Sequence, residues 1–126
     1  MRIHTSYFGA LRRLPSDYIP VAICGRMVFP WNGLRYPKLA PKIGFFTEWK
    51  KNHDNDFYIR HFKEEVLSQL DRNKVLEELY AITGGGKVDD KNVVLVCYER
   101  PEEFCHRHLV AEWLSEVLPY TIKECV

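Results

Sequence analysis

The stretch that most constrains this chain is Val93-Val94-Leu95-Val96-Cys97, followed by Tyr98-Glu99-Arg100-Pro101-Glu102-Glu103-Phe104 and then Cys105-His106-Arg107. An apolar, β-branched run reads as a buried strand. It stops at a cysteine, and a short charged turn with a proline leads into an amphipathic segment that opens on Cys-His-Arg. In an open α/β sheet, such a junction lies at the carboxyl edge of a strand, where the ligand sites of these folds form.

The rest of the pattern agrees with that class. Arg2 to Tyr7 and Tyr18 to Cys24 read as strands, the second after the turn signal Leu14-Pro15-Ser16-Asp17. Residues 25–44 carry little periodicity, with Pro30, Pro37, Pro41 and Gly33. Phe29, Trp31, Tyr36 and Leu39 argue that this segment is packed. A helix is expected over Phe45 to Lys51. Two more follow: Ile59, Phe62, Val66 and Leu70 recur at helical spacing after an Asp54 or Asp56 cap, and Val75, Leu76, Leu79 and Ile82 after Asp71 or Asn73. Gly84-Gly85-Gly86 ends the helical region. These glycines follow a helix and lead into a strand, the reverse of a phosphate loop. Asn92 to Cys97 is the clearest strand, a final helix is expected from about Glu102 to Leu118, and Tyr120 to Cys125 alternates as a last strand. Strands separated by helices predict one α/β domain over residues 1–126, a Rossmann-like three-layer sandwich with a small, mostly parallel sheet.

Composition narrows the setting. The 126 residues are 46% apolar and 13% aromatic, enough for a folded core. No segment reaches the roughly 18 consecutive apolar residues of a membrane span, and the N-terminus Met1-Arg2-Ile3-His4-Thr5-Ser6 lacks the apolar core of a secretory signal. A cytoplasmic location is expected, with Cys24, Cys97, Cys105 and Cys125 as thiols. Residues 1–51 hold nine Lys/Arg against Asp17 and Glu48, while residues 52–126 hold nine against fifteen acidic groups. Such asymmetry marks a nucleic-acid or anion surface, or halves that neutralise each other on folding. Arg26, Arg35, Lys38, Lys42, Lys50 and Lys51 interleave with Trp31, Tyr36, Phe45, Phe46 and Trp49. That pattern suits a nucleic-acid partner or, more simply, solvated lysines over a packed core.

On a helical wheel of about 100° per residue, Val110, Trp113, Leu114 and Val117 form a buried stripe. His106 lies at its centre, with Cys105 and Arg107 on its flanks. Cys24 and Cys97 end strands beside it, and Ser6 ends a third. A thiol near a helix N-terminus and a cation has a stabilised thiolate. A histidine beside it serves as base or ion-pair partner, and arginine forks suit an anion. Cys97, Cys105 and His106 are therefore the candidate catalytic residues. Arg107, Arg26, Glu99, Cys24 and Ser6 are the candidate substrate-binding ones, and a small anionic ligand is the expected substrate. Glu99, Glu102 and Glu103 complement the helix dipole and oppose an anion there. Burial as ordinary core residues is the competing account of each cysteine and of His106. Thiolate and imidazole suit zinc or iron, and Cys24, Cys97, Cys105 and His106 could supply them, but Cys97-x7-Cys105-His106 lacks a Cys-x2-Cys pair, and no metal or cofactor is expected.

The run Val-Cys-Tyr-Glu-Arg-Pro-Glu-Glu-Phe-Cys-His-Arg-His-Leu-Val-Ala-Glu-Trp-Leu over residues 96–114 resembles the C-terminal signature of the domain of unknown function 488 family. Cys97, Glu99, Cys105, His106 and Arg107 are the matching positions. Thr5-Ser6-Tyr7 with Leu39-Ala40-Pro41-Lys42 is similar to the shorter members from bacteria and phages. Where many relatives read Asp-x-Arg after the second strand, this chain reads Cys24-Gly25-Arg26, so the arginine matches and the carboxylate is absent. The resemblance implies an α/β fold and a shared pocket, with no particular reaction attached.

Overall fold

Asn92–Cys97 forms the strand on which the molecule is organised. In the computed structural model, which describes residues 1–27, 30–87 and 90–125, every residue from Val93 to Cys97 is at most 1% exposed. A strand buried on both faces needs partners on both edges, and it has them. β1 (Arg2–Tyr7) pairs with β4 (Asn92–Cys97) in parallel from Arg2↔Asn92 to Tyr7↔Cys97. On the other side β2 (Ile19–Ala22) pairs in parallel from Ile19↔Val93 to Ala22↔Val96. A short β3 (Leu34–Arg35) joins beyond it, giving the order β1-β4-β2-β3. All pairings are parallel, as the near-continuous apolar run of β4 requires.

Alternation divides the side chains between two faces. Ile3, Val21, Ile23, Val93 and Leu95 pack against the helices α1 (Ile43–Asn52), α2 (Asn55–Glu65), α3 (Arg72–Ile82) and α4 (His106–Ser115), through Phe45, Phe62, Leu79, Val110 and Leu114. The opposite face, with Ala22, Val94 and Val96, lies under Phe8, Leu11, Leu14 and Trp31. A 3-10 helix over Phe8–Arg13 and the chain after β2 supply this thinner layer.

Local signals set the helix ends. The Asp54 carboxylate accepts from the Phe57 N–H at 3.2 Å and caps α2, and Asp71 accepts from the Lys74 N–H at 3.1 Å and caps α3. Gly84 and Gly85 take φ of 105° and 57° just beyond α3, a left-handed exit that glycine adopts without a Cβ clash.

Three expectations are corrected. The last helix begins at His106, not Glu102, because Arg100–Glu103 is a turn closed by the Glu103 N–H on the Arg100 carbonyl at 3.0 Å, and Cys105 is extended (φ −154°, ψ 143°). It also stops at Ser115, so Val117 leaves the apolar stripe and is 43% exposed. Tyr120 to Cys125 does not make a strand. It touches the sheet at one parallel bridge, Thr5↔Glu124, through Thr5 N–H to Lys123 carbonyl (3.1 Å) and Cys125 N–H to Thr5 carbonyl (2.8 Å). Finally, residues 25–44 are not wholly irregular: β3 and a 3-10 turn over Pro37–Leu39 lie within them, and Tyr36 and Leu39 are buried as expected. Phe29 lies outside the described residues.

Candidate functional site

The turn after β4 folds back so that the strand's last residue, Cys97, meets the residue that caps α4, Cys105. Their sulfurs are bonded, with the Cα atoms 7.7 Å apart. The expectation of four thiols is corrected here. Compartment decides whether thiols persist, whereas chain geometry decides which sulfurs meet. Cys24 and Cys125 are free.

His106, the first residue of α4, is 6% exposed and packs against the Phe62 ring at 5.6 Å. Its Nε2 lies 2.7 Å from the Ile23 carbonyl oxygen. A carbonyl only accepts, so Nε2 carries the hydrogen and donates. Nδ1 then faces Cys105 Sγ at 3.7 Å. Burial outweighs the Ile23 bond and, with the Arg107 charge, pushes the imidazole pKa down to about 4. His106 is therefore neutral near pH 7, with a defined tautomer.

Arg107 is 0% exposed, and a buried guanidinium needs a counter-charge. Glu124 supplies it. Nε donates to Oε1 and Oε2 at 3.1 and 3.2 Å, and Nη2 to Oε2 at 2.6 Å. The remaining arm, Nη1, donates to Cys97 Sγ at 3.2 Å. Glu124 also accepts from the Thr5 hydroxyl at 2.6 Å. Burial would raise the Glu124 carboxyl, but the Arg107 and Thr5 hydrogen bonds and the Arg107 charge hold it below the usual range. Beside this pair is a cavity of about 290 Å³ lined by Thr5, His108, Ser115, Ile122 and Glu124 among others. The buried Nε2 of His108 is without a partner among the described residues, and burial together with the Arg107 charge lowers the pKa of that ring.

The other residues singled out from the sequence divide. Glu99 stands by the cluster, its Oε2 3.7 Å from Cys97 Sγ. Cys24 is buried but directs its thiol to Met27 Sδ at 3.3 Å, and burial raises its pKa. Arg26 is exposed and contributes its carbonyl to the Tyr98 hydroxyl at 2.7 Å. Ser6 is fully buried, and its register partner Val96 places it on the thinner-layer face, where its hydroxyl lacks a partner among the described residues. The basic groups of residues 26–51 are exposed, while Tyr36 and Phe45 are buried and Trp49 packs on Tyr58 and Phe104. Sequence reasoning missed Glu124, Thr5 and His108. The one available signal was Arg107 itself, since an arginine next to a buried histidine on a helix needs a carboxylate.

Together these groups can hold a thiolate. Arg107 Nη1 lies where it would stabilise negative sulfur at Cys97 once the bond to Cys105 is reduced, a charge-assisted donor of the kind that lowers thiol pKa values. His106 Nδ1, unprotonated, is placed to accept a hydrogen bond from Cys105 once that sulfur is free. The class thus defined is a parallel α/β protein with a buried Cys-Cys-His-Arg cluster at the carboxyl edge of its sheet. A family model described as "DUF488-N3a: Active DUF488-N3 subclade" matches residues 11–118, and the chain belongs to the domain of unknown function 488 family. No curated protein and no solved structure matches it significantly.

Proposed function

We propose that this is a thiol-dependent enzyme acting on a small anionic ligand, with Cys97 as the reacting sulfur, Cys105 as its reversible partner and His106 as a neutral hydrogen-bond acceptor that positions Cys105. One observation carries this: a fully buried guanidinium directs Nη1 to Cys97 Sγ at 3.2 Å. Burying an arginine is costly, and its carboxylate partner accounts for only part of its hydrogen-bonding capacity. Glu124 illustrates the group the Arg107 fork accepts, and a ligand carboxylate or phosphate entering by the Thr5–His108–Glu124 cavity would compete with it. Residues 1–126 act as one domain in a reducing compartment, where the Cys97–Cys105 bond opens. Among the described residues, no helix is long and apolar enough to cross a membrane. A nucleic-acid role finds less support, because the aromatic rings of residues 26–51 are largely consumed in packing.

The test is alkylation of the reduced protein in the presence of a chelator, followed cysteine by cysteine across pH by mass spectrometry. Cys97 should label well below pH 8.5, about the free-thiol pKa, and ahead of Cys24 and Cys125. Labelling of Cys97 only on unfolding would overturn the proposal.

A further inference from the structure

We infer, resting on the thiol-site reading above, that once its sulfurs are reduced the Cys97–Cys105–His106 cluster is a binding site for one soft divalent cation of the zinc type. The three donor atoms lie within 4.8 Å of one another and all three residues are buried. His106 is prepared as a ligand. Its Nε2–H is engaged by the Ile23 carbonyl at 2.7 Å, which leaves the Nδ1 lone pair facing Cys105 Sγ. Metal-bound histidines are oriented in this way, by a backbone carbonyl on the nitrogen remote from the ion.

One donor–donor distance already matches a tetrahedral centre, and the two sulfurs, bonded to each other here, must part to about 3.8 Å for the others to do so. Zn–S of ~2.3 Å and Zn–N of ~2.05 Å set ligand sulfur and nitrogen about 3.6 Å apart, and Nδ1 to Cys105 Sγ is 3.7 Å. The Cα atoms of Cys97 and Cys105 are 7.7 Å apart, wider than the ~4.4–6.8 Å usual for a bridged pair. The backbone therefore lets the sulfurs separate around an ion once their bond is reduced.

Charge points the same way. Two buried thiolates would otherwise face a single guanidinium already neutralised by Glu124. A divalent cation cancels both thiolates and leaves Arg107–Glu124 as a separate neutral pair. Three protein ligands leave a fourth position open, the arrangement of catalytic rather than structural zinc sites.

Loading is a balanced exchange. A dithiol reductant becomes a disulfide as it transfers two electrons and two protons to the Cys97–Cys105 bond. The two resulting thiols release two protons as they bind the cation. Cys-x7-Cys-His has no closely spaced pair, so the sequence carries the donor types and the fold supplies their convergence.

Reduced protein, freed of reductant under anaerobic conditions, is titrated with cobalt(II) and then zinc(II). The expected result is one equivalent of cobalt with thiolate charge-transfer bands and tetrahedral d–d bands, displaced by zinc, and none on the oxidised protein. Cys97→Ser and Cys105→Ser should abolish the charge-transfer signal stepwise, and His106→Gln should weaken binding by at least about tenfold. Cys24→Ser and Cys125→Ser should leave it unchanged. Failure of the reduced wild-type protein to take up cobalt or zinc while circular dichroism shows it folded overturns the site, as does a signal that survives the Cys97/Cys105 double variant. The oxidised–reduced comparison needs no mutation, so a variant that fails to fold does not blunt the test. Cobalt uptake alongside slow alkylation in chelator would reject Cys97 as nucleophile and keep the metal site, and the converse pair of results would do the reverse.

Discussion

Two buried cations sit at opposite ends of β4. Lys91, immediately before the strand, is 3% exposed, and Arg107, after it, is 0% exposed. Lys91 Nζ donates to the Tyr80 and Gly85 carbonyls at 2.7 and 2.9 Å and stands over the Tyr80 ring at 4.0 Å. Those carbonyls lie at and just beyond the C-terminal turn of α3, where unpaired oxygens and the helix dipole attract a positive charge. Arg107 instead meets a carboxylate and a sulfur. Burial of a charge therefore does not by itself mark a functional site. Lys91 closes a helix end with neutral acceptors, whereas Arg107 is shared between a carboxylate and the Cys97 sulfur, the group proposed above to react.

The sharpest way to break the contrast is to remove each charge. Arg107→Met should cost about 3–5 kcal/mol in urea unfolding, because it strands Glu124 without its partner. Acidification should come next. The His106 pKa is lowered in the folded state to about 4 from its ordinary value near 6.5, so the unfolded chain takes the proton first. The stabilisation is complete above pH 6.5 and is lost as pH falls from there to about 4, by on the order of 3 kcal/mol. His108 and Glu124, both lowered, act in the same direction, Glu124 at more acidic pH. Urea midpoints across pH should therefore slope steeply in the wild type and less in His106→Gln. Lys91→Met should cost about 1–3 kcal/mol, chiefly for the Gly85 carbonyl it abandons, since the Tyr80 carbonyl keeps the Thr83 hydroxyl at 3.2 Å, and leave Cys97 alkylation unchanged. If its cost exceeded that of Arg107→Met, the two ends would have been ranked wrongly. Smallest is Thr5→Val, which deletes one hydrogen bond to Glu124 and should lower stability by roughly 1–2 kcal/mol, with a modest slowing of Cys97 alkylation as the fork loosens.

The elements that were legible in the sequence are those set by short-range rules. β1 and β4 run over the expected residues, and Asp54 and Asp71 cap the helices that follow them, because pattern and cap lie within a few residues of each other. β3, with two residues, has no period of its own and exists through its register with Val21 and Ala22. The start of α4 was misplaced because Glu102 and Glu103 suit a first helical turn, while Pro101 and the Arg100–Glu103 turn hold the backbone out of it until His106. Cys97, Cys105, His106 and Arg107, read from one strand end and one helix start, lie together in the fold. Glu124 was not, since nothing near it in sequence reports that Tyr120–Cys125 crosses to Thr5.

That crossing ties the site to both ends of the chain. Thr5 and Glu124 are 119 positions apart, and their hydrogen bond closes the longest loop among the contacts of the cluster. Loop closure at such separation is slow and is rewarded only after nearer contacts have formed. Glu124 reaches Arg107 from only 17 positions away, whereas the Thr5 hydroxyl that steadies its carboxylate comes from the far end of the sequence. The charge balance around Arg107 is therefore clamped by the fold as a whole and not by the short stretch that carries the Cys-His-Arg motif.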